Sequence, residues 1–520
     1  MSLHQRRSFM FLLLLFAFLS THCQTNTSLS DTNILKENLT MLASDEYEGR
    51  EMASKGAAMA AEFIAKHLEK YGLKPFNKNG SYFQEFPVYV SGYDFNSQLV
   101  MNITENDSSI TFEPGSDYLI YSPNYVPLTF NKTGLPIVFA GYGITADEYD
   151  YDDYENLEVE GKVVVVMDGE PESRDNDFFE SDYRTEYSET RNKLLTAAEN
   201  GAVAMITLPD EQSMSNYGFK LRRILKKSFS LEDDNELTER EDETIPSILL
   251  SINGAKKLFR VNGENYYRVR SNMNKYPPNS IKFGLDLSLN YWIKPFNERR
   301  EAKNIIGLIE GTDPDLKDEY VTLGAHYDHE GVVNGVVYNG ADDNGSGTTS
   351  VLEAARLLAQ KKSNKRPILV IFHTGEERGL LGSKYLTENS DFVSDIVSHI
   401  NVDMVGRGEE REIYSIGSDR ISLEYHQLIE SVNSETVNIK YNYSFDGPDD
   451  VNRYYYRSDH YNYAKKDIPI VFFYDNMTND YHKPSDDVEK INFNKIALIT
   501  DLIYHISLRV ANLDHKIKVD

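Results

Sequence analysis

In the C-terminal half of the chain, residues 304–309, 320–324, 368–372, 396–402 and 468–474 form short, continuous apolar runs. Runs of this length without polar alternation predict strands covered on both faces, as in a parallel or mixed sheet. Between the second and third, residues 347–360 carry apolar positions at helical spacing behind a glycine-rich turn. Strand and helix alternating in this way predict an α/β domain. Nearer the N-terminus, Ala60, Phe63, Ile64, His67, Leu68 and Tyr71 fall at helical spacing and Gly72 closes the helix, while residues 33–42 carry a second helical pattern.

The middle of the chain has a different texture. Residues 81–126 read as short strands and turns rich in Tyr, Phe and Asn. From Pro127 onward, residues 136–141, 162–167, 202–206 and 245–250 are apolar runs of strand type, with helix candidates at 193–200 and 255–259. Two acidic stretches, 170–189 and 231–243, read as solvated loops without chemistry of their own.

A length of 520 residues predicts two or three folding units, and 40% hydrophobic with 12% aromatic content suffices for packed cores. The formal net charge of -28, from 82 acidic against 54 basic residues, argues against nucleic acid or an anionic membrane surface as the main partner. Arg6 and Arg7 precede an apolar run at 9–19, which predicts a signal peptide over residues 1–23 and an extracytoplasmic destination: periplasmic, secreted or anchored at the envelope. Arg6-Arg7-Ser8-Phe9 faintly resembles a twin-arginine signal, but the strongly apolar run favours the general secretory route. Cys23 is the only cysteine, so a disulfide within one chain is impossible. Its place after the apolar run resembles a lipoprotein acceptor, although His22 stands where such signals carry a small residue. Lipidation at Cys23 and simple cleavage near it both remain open, and a lipid there is the one membrane contact the sequence allows for.

In open α/β sheets ligands bind beyond the carboxyl ends of the strands, so polar residues directly after apolar runs are candidates for chemistry. The run 320–324 leads into Ala325-His326-Tyr327-Asp328-His329, and 368–372 into His373-Thr374-Gly375-Glu376-Glu377. The run 396–402 ends in Asp403, and 468–474 leads through Asp480 and Tyr481 to His482. Asp343 lies in the glycine-rich turn 339–347, where small neighbours allow backbone to approach closely. Two imidazoles with three carboxylates suit zinc above all, and five ligands, one of them bridging, give two zinc ions three protein ligands each. Adjacent Glu376 and Glu377 can present one carboxylate to a metal and the other to a water. Asp328 suits an acceptor fixing the His326 tautomer, and Tyr481 a donor to a tetrahedral oxyanion.

The motifs AHYDH, GADDNGSG, GEERGLLGS, NVDMVG and YHKPSDD, in this order and each after its strand, resemble the co-catalytic di-zinc exopeptidases, a family that includes bacterial leucyl aminopeptidases, glutamate carboxypeptidases and the transferrin receptor ectodomain. The resemblance covers residues 304–508 and the N-terminal helices. It implies the zinc exopeptidase fold, a mixed central sheet flanked by helices. It implies two Zn2+ ions, with Asp343 bridging, His326 and Asp403 completing one site, and Glu377 and His482 the other. Glu376 is implied as the general base toward a water bridging the metals. Residues 127–264, with GYGI, GKVVVVMDG and AAENGAVAMI, resemble the protease-associated (PA) domain, implying a smaller inserted α/β domain between residues 24–126 and 265–520 of the peptidase part.

The resulting expectation is an exported metallo-aminopeptidase acting on peptide or protein N-termini. A carboxypeptidase or dipeptidase on the same scaffold is one alternative, separated by whether a basic cluster faces the substrate carboxylate. A metal-free binding ectodomain is another, and the full ligand set argues against it. Asp342 is expected to shape the turn beside Asp343. His329, His373 and His399 are read as ordinary residues, and Arg457-Ser458-Asp459-His460 as a supporting segment near the pocket.

Overall fold

The structure is a computed structural model that describes residues 28–520, apart from 95–98, 106–107, 122–125, 172–178, 180–183, 211–216, 219, 222–223, 225–226, 233–243, 272–280, 334 and 448–449. The signal segment and Cys23 lie outside the described residues, as does much of both acidic stretches. Two compact units emerge: one from residues up to 86 together with 302–520, the other from residues 87–301.

In the first unit, α1 (Thr32–Leu42) and α2 (Lys55–Tyr71) begin on side-chain caps, Asp31 accepting from the Asn33 N–H and Ser54 from that of Ala57. Gly72, at φ 85°, ends α2 in the left-handed conformation that glycine adopts without a Cβ penalty. Six of the strands in a ten-stranded sheet are β1 (Lys294–Ile309), β2 (Tyr320–His326), β3 (Ile368–His373), β4 (Ile396–Asp403), β5 (Glu412–Ile416) and β6 (Ile470–Tyr474). They lie in the order β1-β3-β2-β4-β6-β5. The pairs β3–β2, β2–β4 and β4–β6 are parallel, while β1–β3 and β6–β5 are antiparallel. The sheet is therefore mixed, as its apolar runs predict.

Continuous apolar sequence is needed because each strand is covered on both sides. Ile368, Val370 and Phe372 of β3 join the core that also holds Ile64 and Leu68 of α2 and residues of α3 (Gly347–Lys361) and α4 (Phe493–Ala511). Leu369 and Ile371 face the opposite way, toward Leu386 and Tyr463. Each such fully buried side chain contributes about 1.5–3 kcal/mol.

The second unit is built on a sheet running Ser108–Phe112, Val100–Glu105, Asp286–Trp292, Thr129–Phe139, Val163–Met167, Ala204–Leu208, Ser247–Leu250 and Tyr118–Ile120. Four consecutive strands, from Thr129–Phe139 to Ser247–Leu250, are parallel, and helices Thr190–Glu199 and Ile252–Val261 bury residues in the same core. This unit extends on both sides of residues 127–264, the span that resembles the PA domain. Asp286–Trp292 pairs with Val100–Glu105 on one side and Thr129–Phe139 on the other, and so draws in chain from both flanks of that span.

One buried cation ties the loops of the first unit together. The Arg50 guanidinium, with a side chain almost wholly out of solvent, donates to the backbone carbonyls of Leu42, Tyr327, Asn339 and Gly340. Tyr327 follows β2, and Asn339 and Gly340 open the glycine-rich turn. Arg50→Met leaves these carbonyls without their donor at a cost on the order of 3 kcal/mol or more, so its denaturant midpoint is expected well below that of the wild type. A midpoint unchanged within error would remove Arg50 from this role.

Candidate metal centre

Parallel pairing sets the strand ends level. His326 at the end of β2 pairs in register with His373 at the end of β3, and Asp403 at the end of β4 with Tyr474 of β6. The chain beyond each strand therefore opens into one crevice.

The glycine-rich turn is fastened to this rim by side chains. Asn344 donates from Nδ2 to the Val402 carbonyl at 3.0 Å, and its Oδ1 accepts from Gly347 and Met404 at 2.9 and 3.2 Å. A Cβ on Gly347 would stand 2.4 Å from the Val402 oxygen, so glycine is required for that approach. Asp486 Oδ2 accepts the N–H groups of Asp342 and Asp343 at 3.0 and 3.1 Å. Asp342 itself accepts from Gly406 at 2.8 Å, a turn-shaping role matching the sequence reading.

With its backbone held this way, Asp343 presents its two oxygens to different partners. Oδ1 lies 3.6 Å from His326 Nε2, which is 3.2 Å from Asp403 Oδ1. Oδ2 lies 3.2 Å from His482 Nε2, which is 3.0 Å from Glu377 Oε2. Two triads, each of one imidazole nitrogen and two carboxylate oxygens, thus share Asp343. Mixed nitrogen and oxygen donors of this kind fit zinc, and His326, Asp343 and Asp403 lie close enough for one ion to touch all three; around the other triad the equally close sets are His329 with Asp343 and Glu377, and Glu330 with Glu377 and His482.

The electrostatics show the same demand. Burial pushes Asp343 up to about 6, with the Glu377 charge adding to it. Burial opposes ionisation of Glu377, but the charges of His482 and His329 outweigh it and hold this carboxyl well below its usual range. Burial likewise opposes a charged His482, yet Glu377 and Asp343 lift it to about 11. His326 is raised well above the ordinary imidazole range by Asp403 and Glu376 against the effect of burial. Without a metal, the carboxylates are compensated by protons on the imidazoles.

Glu376 sits beside the His326 triad, Oε2 at 3.9 Å from His326 Nε2. Burial raises its carboxyl well above the usual range, offset in part by His326 and reinforced by Asp403 and Glu377. Its backbone N–H donates to Asp328 Oδ1 at 3.3 Å. Asp328 is fully buried, and His326 Nδ1 lies 3.2 Å from its backbone oxygen and 3.7 Å from its carboxylate. Tyr481 stacks on His482 with ring centroids 3.8 Å apart, and burial with the nearby Asp343 charge keeps its phenol protonated. Ser458 donates to Asp403 Oδ2 at 2.8 Å, leaving Oδ1 for His326, so the 457–460 segment does touch the centre through one residue.

Two neighbours depart from the sequence reading. His329, read as an ordinary residue, places Nδ1 2.7 Å from Glu377 Oε1 and 3.8 Å from Asp343 Oδ2. Glu330, not singled out at all, lies 3.4 Å from His482 Nδ1. The available signal was their position directly after Asp328, in a run of ionisable side chains leaving an apolar strand. His373 and His399 do remain core residues, His373 bonded to Tyr463 at 3.0 Å and His399 stacked on the same ring at 3.7 Å.

Comparison with known proteins agrees with this architecture. Residues 304–507 match peptidase family M28, and residues 126–258 match the PA domain. A "Probable leucine aminopeptidase" of Trichophyton verrucosum is 29% identical over 212 residues, 38% of this chain and 56% of the relative. Aminopeptidase Y of Saccharomyces cerevisiae is 28% identical over 247 residues, 44% of this chain and 42% of the relative. The chain thus spans about half the length of the curated relatives it matches. Among solved structures, an aminopeptidase from Aneurinibacillus sp. strain AM-1 superposes with a TM-score of 0.52 at 17% identity, covering 94% of this chain and 96% of that one. BSAP, a zinc aminopeptidase from Bacillus subtilis, gives 0.50 at 18% identity over 92% and 94%. These two likenesses establish the fold. The M28 match lies over the domain that carries the two triads, and the PA match over the inserted sheet.

Proposed function

We propose that this protein is an exported, two-zinc aminopeptidase that releases N-terminal residues from peptides. The observation that carries the reading is Asp343, whose oxygens face one triad each. Export is supported by the charged and then apolar start of the chain, residues 6–19. The names of the relatives, leucine aminopeptidase and aminopeptidase Y, point the same way.

His326, Asp343 and Asp403 would hold one zinc ion and Asp343, Glu377 and His482 another, and such ions would supply Lewis acidity and ease the ionisation of water in the crevice. The protein supplies the proton traffic. Glu376, with its raised carboxyl pKa, accepts a proton from the attacking water and returns it to the leaving amine, work for which an ordinary surface carboxylate is too weak a base. Tyr481, kept neutral, donates its O–H to the oxyanion of the tetrahedral intermediate.

Charge favours the amino end of the substrate. Asp328, Glu330, Asp343, Glu376, Glu377 and Asp403 gather around two potential sites of charge +2, which leaves the crevice receptive to an ammonium. Of the arginines nearby, Arg457 lies over the Tyr454 ring and acts on the Tyr481 phenol, and three others are committed elsewhere. Arg378 binds Glu330 and Glu51, Arg407 binds Asp480 and Asp486, and Arg50 binds backbone carbonyls. A carboxypeptidase needs a cation turned toward the substrate carboxylate, and these three are not so disposed.

Glu376→Gln is expected to retain its metal but lose turnover by about 10²–10⁴-fold, read as kcat on aminoacyl substrates beside metal content. Activity near wild type in that variant would remove Glu376 as the base. Peptides with a blocked amine should be cleaved far more slowly than free ones, and equal rates would overturn the aminopeptidase reading.

Adding Zn2+ to the metal-free protein should bind two equivalents with net release of protons at pH 7. His482 at about 11 still holds its proton at that pH, and only the neutral ring can be a ligand. Apparent affinity therefore rises from pH 6 to pH 8. Calorimetry in buffers of different ionisation enthalpy measures the release, and a value of zero would contradict the charge state assigned to the empty centre.

A further inference from the structure

The three residues beyond Tyr327 are buried in succession, and each faces a different group of the centre. Asp328 lies against His326, as described. His329 Nδ1 is 2.7 Å from Glu377 Oε1, a hydrogen-bond distance shorter than two ligands of one zinc normally keep. Glu330 Oε1 is 3.4 Å from His482 Nδ1, on the side of that ring away from Nε2. In both cases the contact leaves a specific atom, Glu377 Oε2 or His482 Nε2, facing the shared Asp343 side of the triad, where the two stand 3.0 Å apart.

We propose that His329 and Glu330 are the positioning residues of the second metal site, His329 for Glu377 and Glu330 for His482. His329 donates its Nδ1 proton to Glu377 Oε1, which holds the carboxylate as a one-oxygen ligand through Oε2. Glu330 accepts the Nδ1 proton of His482, which fixes the tautomer whose Nε2 carries the lone pair and raises the basicity of that nitrogen. The proposal rests on the two-metal reading above and adds what shapes one of its halves.

Both braces are themselves immobilised. The His329 ring lies over Gly340, where a Cβ would stand 2.5 Å from ring Cγ and Cδ2, so that glycine makes room for it. The His329 backbone N–H donates to the Arg50 carbonyl at 3.3 Å. Glu330 Oε2 is bound by Arg378 at 3.1 Å, and the same guanidinium reaches the Glu330 carbonyl at 3.2 Å and Glu51 at 3.2 Å. A run of three residues at one strand end thus backs His326, Glu377 and His482, ligands that come from three separate stretches of chain.

Zn2+ titration of the metal-free full chain tests this without reference to turnover. Wild type should bind two equivalents. In His329→Leu and Glu330→Gln the first equivalent should be unchanged, while the second weakens by about 10–100-fold, the usual effect of losing a partner to a ligand. His329→Asn, whose amide can replace the Nδ1 donor, should recover to within about threefold on this scale. A second equivalent unchanged in Glu330→Gln, or as weak in His329→Asn as in His329→Leu, overturns the corresponding half. Equal weakening of both equivalents in a folded variant also overturns it, since the role is then general to the fold. Should His329→Leu not fold, the zinc-loaded wild type decides by nitrogen NMR of its histidines. His329 and His482 must each carry a proton on Nδ1, and a His329 without one is a metal ligand or an acceptor instead. A wild-type chain binding a single equivalent would sink the two-metal reading itself, an outcome distinct from any of these.

Discussion

Six carboxylates from the ends of β2, β3 and β4 and the neighbouring loops share one buried crevice, and their mutual repulsion is the constraint that organises the rest of the domain. Buried like charges are tolerated only with compensation close at hand. Here it comes in layers: imidazoles within the triads, Arg378 and Arg407 behind them, and backbone N–H groups directed at Asp328, Asp342 and Asp486. Such an arrangement holds its shape because these anions have fixed partners.

The sheet is what makes that concentration possible. Parallel neighbours bring strand ends to a common edge, so residues tens of positions apart in sequence arrive within hydrogen-bonding distance without long excursions of chain. Arg50 extends the same principle to the loops. A single guanidinium binds the carbonyls of Leu42, Tyr327, Asn339 and Gly340, so the approach to the centre from β2 and the turn holding Asp343 are set by one side chain.

Much of this was legible in the sequence because burial on both faces leaves an unmistakable apolar run, and polar residues directly behind such runs have one place to go. His326, Asp403 and Glu377 stand behind such runs, and Asp343 among the glycines that its turn needs. The roles facing His329 and Glu330 were not legible, because they depend on where Glu377 and His482 direct their second atoms, a property of tertiary geometry. The extent of the second unit was hidden for a related reason. Asp286–Trp292 pairs with a strand more than 180 residues earlier, and nothing local in either segment announces the other.

Asp343 carries one more implication when two ions occupy the centre. A ligand held in common makes the two half-sites a single thermodynamic object. A first ion would order the carboxylate for a second, yet would also set a like charge beside it. The difference between the first and second affinity would then carry a coupling that resides in this one side chain.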